Sequence, residues 1–159
     1  MQRTISYFFY DFDGVMTDNM VYVDEKGKEL VRVNRGDGLA VAEIQKLGIG
    51  QVIVSTERNP VVSKRAKKLG IPCLQGISDK KIALTDYCEV ENISISSVAF
   101  VGNDINDSKV MQIASLSICP SDAHSSIQEI SDFVLKTKGG SGVIREILDL
   151  ILENQIKIK

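Results

Sequence analysis

The sequence predicts an α/β fold, a Rossmann-like, doubly wound and mostly parallel sheet, from three observations. Short apolar runs alternate with amphipathic stretches, which is the pattern of successive βαβ units. The chain has 159 residues, of which 43% are hydrophobic and 25% charged, an ordinary balance for one globular domain. No internal repeat, low-complexity tract or linker breaks the pattern. We therefore expect residues 1–159 to form a single domain.

The apolar runs predict the strands of the parallel sheet. The first, at residues 5–12, is almost continuously apolar, as expected for a strand that is buried on both faces. Further strands are predicted at residues 51–55, 72–74, 98–101, 116–119 and 133–135. Amphipathic periodicity between them predicts helices at residues 38–47, 60–69, 79–90, 104–113 and 142–152. Ser78 or Asp79 can cap the third of these helices, and Asn103 the fourth.

One segment departs from this alternation, directly after the first strand. Two β-rich runs, at residues 20–23 and 29–33, are separated by a short polar segment in which Gly27 supplies turn geometry. We expect these runs to form a β-hairpin that projects from the sheet as a flap. The chain has no room for an inserted cap domain in addition.

Charge, hydropathy and cysteine content argue against several classes of function. Lys and Arg number 19 against 21 Asp and Glu, and this net charge of −2 lacks the basic surface that nucleic-acid binding needs. No apolar run reaches the length of a membrane span, and the N-terminus does not resemble a signal peptide. The cysteines, Cys73, Cys88 and Cys119, suit neither a disulfide framework nor a metal site. We expect a cytoplasmic protein that binds neither nucleic acid nor membrane.

Two carboxylates follow the first strand, at Asp11 and Asp13. If the strand continued they would point to opposite faces, but Gly14 permits the chain to turn at the strand's carboxyl end. Both acids can then face the crevice in which open parallel sheets bind ligands. Because neighbouring carboxylates repel each other, the pair implies a cation or a shared proton.

Other polar residues are predicted to reach the same edge of the sheet. Ser55 ends the second strand and offers a hydroxyl, and Lys80 lies at the start of a helix and offers a positive charge. An oxygen-rich loop that contains Asn103, Asp104 and Asp107 follows the fourth strand. Oxygen ligands without a cluster of His or Cys favour Mg²⁺ over zinc.

With these residues the sequence resembles the haloacid dehalogenase superfamily of phosphotransferases over nearly its whole length. Residues 11–18 resemble the first motif of that family, and Ser55, Lys80 and residues 102–107 resemble the second, third and fourth. The resemblance narrows to a capless branch that hydrolyses phosphates of eight- and nine-carbon ulosonic acids, and to the phosphatase-like domain of some sialic acid cytidylyltransferases. The features shared with that branch are the hairpin, Asp37-Gly38, Arg65, residues 121–124, residues 139–142 and Arg145-Glu146.

This resemblance implies catalytic roles for the acids and for the residues that hold phosphate. Asp11 would be the nucleophile that forms an aspartyl-phosphate, and Asp13 the general acid and base. Ser55, Lys80 and the backbone N–H groups around Gly14 would hold the transferring phosphoryl group.

The resemblance also implies a Mg²⁺ ion held by Asp11, the backbone carbonyl of Asp13 and Asn103. Relatives often have Asp at the position of Asn103, so this chain offers an oxygen there without the charge. Asp104 can compensate as a ligand through water, and Asp107 can orient Lys80.

Substrate specificity and assembly are further implications of the resemblance. Arg65 and Lys68 share a helix face and match positions that hold the substrate carboxylate in nonulosonate members; alternatively, they form a solvated face. Glu57 matches a Glu of nonulosonate members where octulosonate members have Arg; alternatively, it is a helix-start glutamate. In the capless branch the hairpin of one subunit covers a neighbour's site, so a homotetramer is expected.

The leading hypothesis is a phosphatase that hydrolyses a nonulosonic acid 9-phosphate in a sialic-acid-like pathway. The alternative substrate is 3-deoxy-octulosonate 8-phosphate, on the route to lipopolysaccharide. A hypothesis of a different functional class is a catalytically inactive oligomerisation module that works beside a cytidylyltransferase. The presence of Asp11, Asp13 and Lys80 argues against this hypothesis. A response-regulator receiver shares an acidic sheet edge and a lysine, but not the hairpin or the order of the acids.

Overall fold

A parallel six-stranded sheet forms the centre of the computed structural model, which describes residues 3–159. The sheet has the order β5-β4-β1-β6-β7-β8, and every neighbouring pair is parallel. A separate antiparallel hairpin consists of β2 and β3. The strands are β1 (Tyr7–Tyr10), β2 (Thr17–Val23), β3 (Glu29–Val33), β4 (Gly50–Val54), β5 (Cys73–Leu74), β6 (Val98–Val101), β7 (Leu116–Cys119) and β8 (Phe133–Val134).

Helices cover both faces of the sheet, as the predicted doubly wound fold requires. Alternate residues of β1 point to opposite faces: Phe8 packs with α1, α2 and α6, whereas Phe9 packs with α3, α4 and α5. None of the helices within residues 3–159 is long and apolar enough to cross a bilayer. The helices are α1 (Arg35–Lys46), α2 (Val61–Leu69), α3 (Lys80–Val90), α4 (Ser108–Ile113), α5 (Ser125–Ile130) and α6 (Val143–Leu152).

The strand order places a ligand crevice beside β1. Strands β4 and β5 lie on one side of β1, and β6, β7 and β8 lie on the other, so the order of the chain reverses between β1 and β6. Ligands of open α/β sheets bind at such a reversal, beyond the carboxyl ends of the strands. Asp11 follows β1 directly and the loop at residues 102–107 follows β6, so the predicted site residues lie at this reversal.

The hairpin that was predicted after the first strand is present, but it begins three residues earlier, at Thr17. Its turn has Gly27 at φ 76° and is held by Asp24, whose Oδ1 accepts hydrogen bonds from the backbone of Lys26 and Lys28. The hairpin exposes apolar side chains, with Met20 69% and Tyr22 73% exposed. Within residues 3–159 no domain is inserted between the strands.

Two helix starts differ from the prediction. Helix α1 begins at Arg35 rather than at residue 38, because Asn34 Oδ1 accepts hydrogen bonds from the first free N–H groups. The prediction of Asn103 as a helix cap is wrong, because Asp104 caps a short 3₁₀ turn that precedes α4. Asp79 caps α3 as predicted.

Helix α5 was not predicted. It spans only Ser125–Ile130, and one apolar side chain, Ile127, anchors it in the core. A helix of this length completes too few turns to show a periodicity in the sequence.

Candidate active site

The carboxyl ends of β1, β4 and β6 bring the predicted catalytic residues to a common cavity of about 180 Å³. Asp11 and Asp13 come from the turn after β1, Ser55 from the end of β4, and Asn103 and Asp104 from the loop after β6. The residues that line the cavity are Asp11, Asp13, Asn19, Ser55, Thr56, Asn103, Asp104 and Asn106. A larger cavity of about 550 Å³ beside α6 contains none of the predicted catalytic residues.

Gly14 shapes the turn that carries both acids. Its φ is 84°, in the region that favours glycine, and a Cβ at this position would overlap the side-chain amide of Asn103. The turn also packs against Gly139 and Gly140, where a Cβ would overlap the backbone of Gly14 and of Asp18 respectively. These close approaches explain why glycines occur on both sides of the contact.

Lys80 joins two buried carboxylates beneath the cavity. Its Nζ lies 2.8 Å from Asp11 Oδ1 and 2.6 Å from Asp107 Oδ1, and all three side chains are buried. Asp107 Oδ2 accepts hydrogen bonds from the backbone N–H groups of Asn103 and Asp104. Asp107 therefore links Lys80, the residue that it was expected to orient, to the loop after β6.

The charges of this network explain its pKa values. Burial and the nearby Asp107 raise the pKa of Asp11 to about 7, although the Lys80 ammonium acts in the opposite direction. Burial lowers the pKa of Lys80, but Asp11 and Asp107 outweigh it, so that the net direction is upward. Lys80 therefore stays protonated, and its single positive charge only partly offsets the negative charges of Asp11 and Asp107.

Asp13 lies nearer to solvent and has a different environment. It is half-buried, and its Oδ1 accepts a hydrogen bond of 3.2 Å from the hydroxyl of Thr17. Burial raises the pKa of Asp13, the Thr17 hydrogen bond lowers it, and Glu57 raises it. Thr17 was not among the predicted site residues; a hydroxyl four residues after Asp13 in the same turn is the signal in the sequence that could have indicated it.

The side-chain amide of Asn103 meets an oxygen of Asp11 and an oxygen of Asp13 beside the cavity. One terminal atom of the Asn103 amide lies 3.0 Å from the backbone oxygen of Asp13 and 2.9 Å from Asp11 Oδ2. Neighbouring ligands of an octahedral Mg²⁺ at ~2.1 Å would be ~3.0 Å apart. If this atom is the amide nitrogen, it donates a hydrogen bond to each of the two oxygens. If it is the amide oxygen, the three oxygens would hold a cation between them. The donor set suits a hard divalent cation.

Asp104 lines the same cavity, but one oxygen of its carboxylate is engaged with the backbone of the next residue. Its Oδ1 accepts a hydrogen bond of 2.7 Å from the backbone of Ile105, while the residue lines the cavity. Within residues 3–159 no group of three or more His, Cys, Asp and Glu side chains is arranged to hold a metal. The proposed cation site does not conflict with this, because an amide and a backbone carbonyl supply two of its oxygens.

The predicted phosphate-binding groups have hydrogen bonds within the protein. Ser55 Oγ accepts one of 3.1 Å from the backbone of Glu57, which leaves its hydroxyl hydrogen free to donate. The Gly14 N–H donates to the hydroxyl of Thr17 at 3.2 Å, so it is engaged within the turn. Ser55 thus offers a donor to the cavity, whereas Gly14 shapes the turn.

The predicted substrate-binding residues divide into two groups. Glu57 lies close enough to Asp13 to raise its pKa, and its Oε1 accepts hydrogen bonds from the backbone of Arg58 and Asn59. Arg65 and Lys68 instead line a separate cavity of about 400 Å³ between α1 and α2. A single chain does not bring Arg65 and Lys68 to the catalytic cavity.

Comparisons with known proteins identify the family to which the chain belongs. A sequence profile of haloacid dehalogenase-like hydrolases matches residues 72–147. The 3-deoxy-D-manno-octulosonate 8-phosphate phosphatase KdsC of Escherichia coli (strain K12) is 36% identical over 157 residues, which are 98% of this chain and 84% of that protein.

Two solved structures of 3-deoxy-D-manno-octulosonate 8-phosphate phosphatases also match. The enzyme from Moraxella catarrhalis, in complex with magnesium, phosphate and KDO, has a TM-score of 0.91 at 30% identity and covers 95% of this chain and 87% of its own. The cobalt-bound enzyme from Haemophilus influenzae has a TM-score of 0.90 at 28% identity. The match covers 96% of this chain and 90% of the Haemophilus chain.

The predicted family and the predicted fold are thus confirmed by sequence and by structure. The chain belongs to the haloacid dehalogenase-like hydrolase family and, within it, to the capless branch of phosphoric monoester hydrolases.

Proposed function

We propose that this protein is a Mg²⁺-dependent phosphatase that hydrolyses the 9-phosphate of a nonulosonic, sialic-acid-like sugar through an aspartyl-phosphate on Asp11. The observation that carries the chemistry is the buried contact of Lys80 with Asp11, with Asp13 at the same cavity. A lysine there orients the nucleophile and neutralises charge on a transferring phosphoryl group.

In the first step, a carboxylate oxygen of Asp11 forms a bond to phosphorus while the bond from phosphorus to the sugar oxygen breaks. That oxygen takes a proton from Asp13, which becomes a carboxylate. Lys80 and the Ser55 hydroxyl hold phosphoryl oxygens. A bound Mg²⁺, held by Asp11, the Asp13 carbonyl and Asn103, would neutralise phosphoryl charge.

In the second step, water attacks the phosphorus of the aspartyl-phosphate and gives a proton to Asp13. The bond between phosphorus and Asp11 breaks, which releases inorganic phosphate and restores the Asp11 carboxylate. Asp13 regains the proton that it gave up, so the two steps leave the enzyme unchanged.

Two substrate lengths compete within this function. Glu57 beside Asp13 supports a nine-carbon substrate, because the sequence resembles nonulosonate members in having Glu at this position, where octulosonate members have Arg. A carboxylate there can accept hydrogen bonds from sugar hydroxyls or an amide. The eight-carbon 3-deoxy-octulosonate 8-phosphate is the second candidate, because relatives up to 36% identical bear that activity in their names.

We also propose that the protein is a homotetramer in which hairpins cover neighbouring sites. The exposed Met20, Val21 and Tyr22 support this, because solvent-exposed apolar side chains on one strand suit a contact between subunits. Arg65 and Lys68 would then approach the substrate carboxylate from another subunit. Light scattering tests the assembly, and a fully active monomer would contradict it.

The function is tested by steady-state hydrolysis of 4-nitrophenyl phosphate and of C8 and C9 ulosonate phosphates, with Mg²⁺ and with a chelator. We expect turnover only with Mg²⁺ and the highest kcat/KM on a C9 substrate. Asp11→Asn is nearly isosteric and should abolish turnover without lowering Tm.

Wild-type activity in Asp11→Asn would overturn the covalent mechanism. A wild type that is inactive on every phosphate monoester with Mg²⁺ present would instead support an idle module. A higher kcat/KM on the C8 substrate would assign the protein to the second candidate function.

A further inference from the structure

Thr17 has a fully buried side chain at the base of the hairpin, and its hydroxyl meets three polar groups. The oxygen lies 3.2 Å from the backbone nitrogen of Gly14 and 3.1 Å from that of Asn19. It also lies 3.2 Å from Oδ1 of Asp13. No other hydrogen bond reaches the Asp13 carboxyl group from within residues 3–159.

These contacts determine the direction of each hydrogen bond. The N–H groups of Gly14 and Asn19 can only donate, and together they use both lone pairs of the Thr17 hydroxyl oxygen. The hydroxyl hydrogen therefore has one remaining partner, Oδ1 of Asp13. In a protonated carboxyl group the carbonyl oxygen is a stronger hydrogen-bond acceptor than the hydroxyl oxygen, so this contact favours the acid proton on Oδ2.

We propose that Thr17 is a positioning residue for Asp13, holding Oδ1 so that Oδ2 carries the proton to the leaving oxygen and later receives it from water. This inference rests on the proposed function. Thr17 orients the carboxyl group of Asp13, and Asp13 itself transfers the protons.

The surroundings of Thr17 keep it in place. The N–H of Gly140 donates to the backbone oxygen of Val15 at 3.0 Å, and a Cβ on Gly139 or Gly140 would overlap the turn at residues 14–18. Thr17 also pairs with Val33 across the hairpin. The turn is thus held on two sides, and the threonine hydroxyl has a defined position from which to orient Asp13.

The test compares Thr17→Val, which keeps the shape and removes the hydroxyl, with Thr17→Ser, which keeps the hydroxyl. Thr17→Cys is the further variant, because a thiol is a weak donor of nearly the size of Ser. Thr85→Val is the matched control, since its hydroxyl donates to Lys81 O on α3, away from Asp13. Thermal melting of each variant verifies folding.

We expect Thr17→Val and Thr17→Cys to lower kcat on an unactivated alkyl phosphate by roughly 10- to 100-fold, part of the ~10²–10⁴ that general acid–base catalysis supplies. KM should stay within about threefold, and Thr17→Ser should retain kcat within about threefold. With 4-nitrophenyl phosphate, whose leaving group needs no proton, a rapid first-turnover burst should persist and the following steady rate should fall.

Three results would overturn the inference: an unchanged kcat in the folded Val and Cys variants, a Ser variant as impaired as Val, or a burst slowed as much as alkyl phosphate turnover. Failure of the substrate proposal looks different. In that case the wild type hydrolyses 4-nitrophenyl phosphate and a simple alkyl phosphate but no ulosonate phosphate, and the Thr17 comparison is made on the first two. A wild type without activity on any monoester would overturn both.

Discussion

Lys80 and Asp107 form an ion pair of 2.6 Å in which both side chains are almost fully inaccessible to solvent. A lysine buried this deeply stays charged only because carboxylates surround it. Asp107 supplies one of them and also binds the backbone of the loop after β6. It therefore positions both the ammonium group and the loop that carries Asn103.

We expect Asp107→Asn to reduce kcat by roughly 10- to 100-fold, a typical loss for a residue that orients a catalytic or ligand group. Stability should fall as well, because Lys80 loses one of its two carboxylates in a buried site. Steady-state kinetics measures the change in kcat, and thermal melting measures the change in stability. Asp86→Asn, at an exposed position of α3, is the control, and a variant that matches it in both measurements would contradict this role.

The direct metal ligand can be identified by comparing Asn103 with Asp104. The side-chain amide of Asn103 faces Asp11 and Asp13, whereas Asp104 caps a turn. We expect Asn103→Ala to weaken Mg²⁺ binding by roughly tenfold or more and Asp104→Ala to weaken it much less. Asn103→Asp should tighten it through the added charge. Calorimetric titration with Mg²⁺ measures these affinities, and the reverse order would make Asp104 the ligand.

Glu57 provides a test of substrate length. We expect Glu57→Arg to shift the ratio of kcat/KM for C9 over C8 substrates by roughly tenfold toward C8, about the effect of one charged hydrogen bond. Hydrolysis of 4-nitrophenyl phosphate should change little, because it lacks the sugar. Equal efficiencies on both sugars in the wild type would remove the basis for this assignment.

The buried Asp37 provides a prediction about pH and stability. Its Oδ1 accepts hydrogen bonds from the first N–H groups of α6, at Ile144 and Arg145, while its Oδ2 is buried without a partner within residues 3–159. Burial raises the pKa of Asp37 to about 6, although these hydrogen bonds and the charges of Arg65 and Arg145 lower it.

Because this pKa exceeds the ~3.9 of an unfolded chain, the folded protein binds the proton more tightly. The resulting stabilisation is complete at low pH and is lost as the pH rises through about 6. We expect the Tm of the wild type relative to Asp37→Asn to rise between about pH 7.5 and about pH 5. A Tm difference that stays constant over this range, or that falls, would contradict the raised pKa.

The sequence by itself determined the order of strands and helices and the residues at their carboxyl ends. A strand that is buried on both faces must be apolar, and the chain must turn where the strand ends. The local sequence pattern alone therefore indicated Asp11, Asp13 and Gly14 as residues of that turn. Lys80 and the loop at residues 102–107 were found in the same way, since each begins a helix. The hairpin was recognisable because its β-rich runs flank a turn residue.

Tertiary structure alone decided which of these groups meet. The contact of Asp37 with α6 joins residues 107 positions apart, and local sequence carries no signal for such a pair. The same applies to Gly139 against Gly14 and to Arg65 in a cavity apart from the site. The pairing of Lys80 with Asp107 was expected only through the family resemblance, because local sequence does not indicate it either. Thr17 lay within the recognised motif, but its role required knowing where its hydroxyl hydrogen points. Hydrogen-bond direction and burial depend on three-dimensional neighbours, which strand order and packing set.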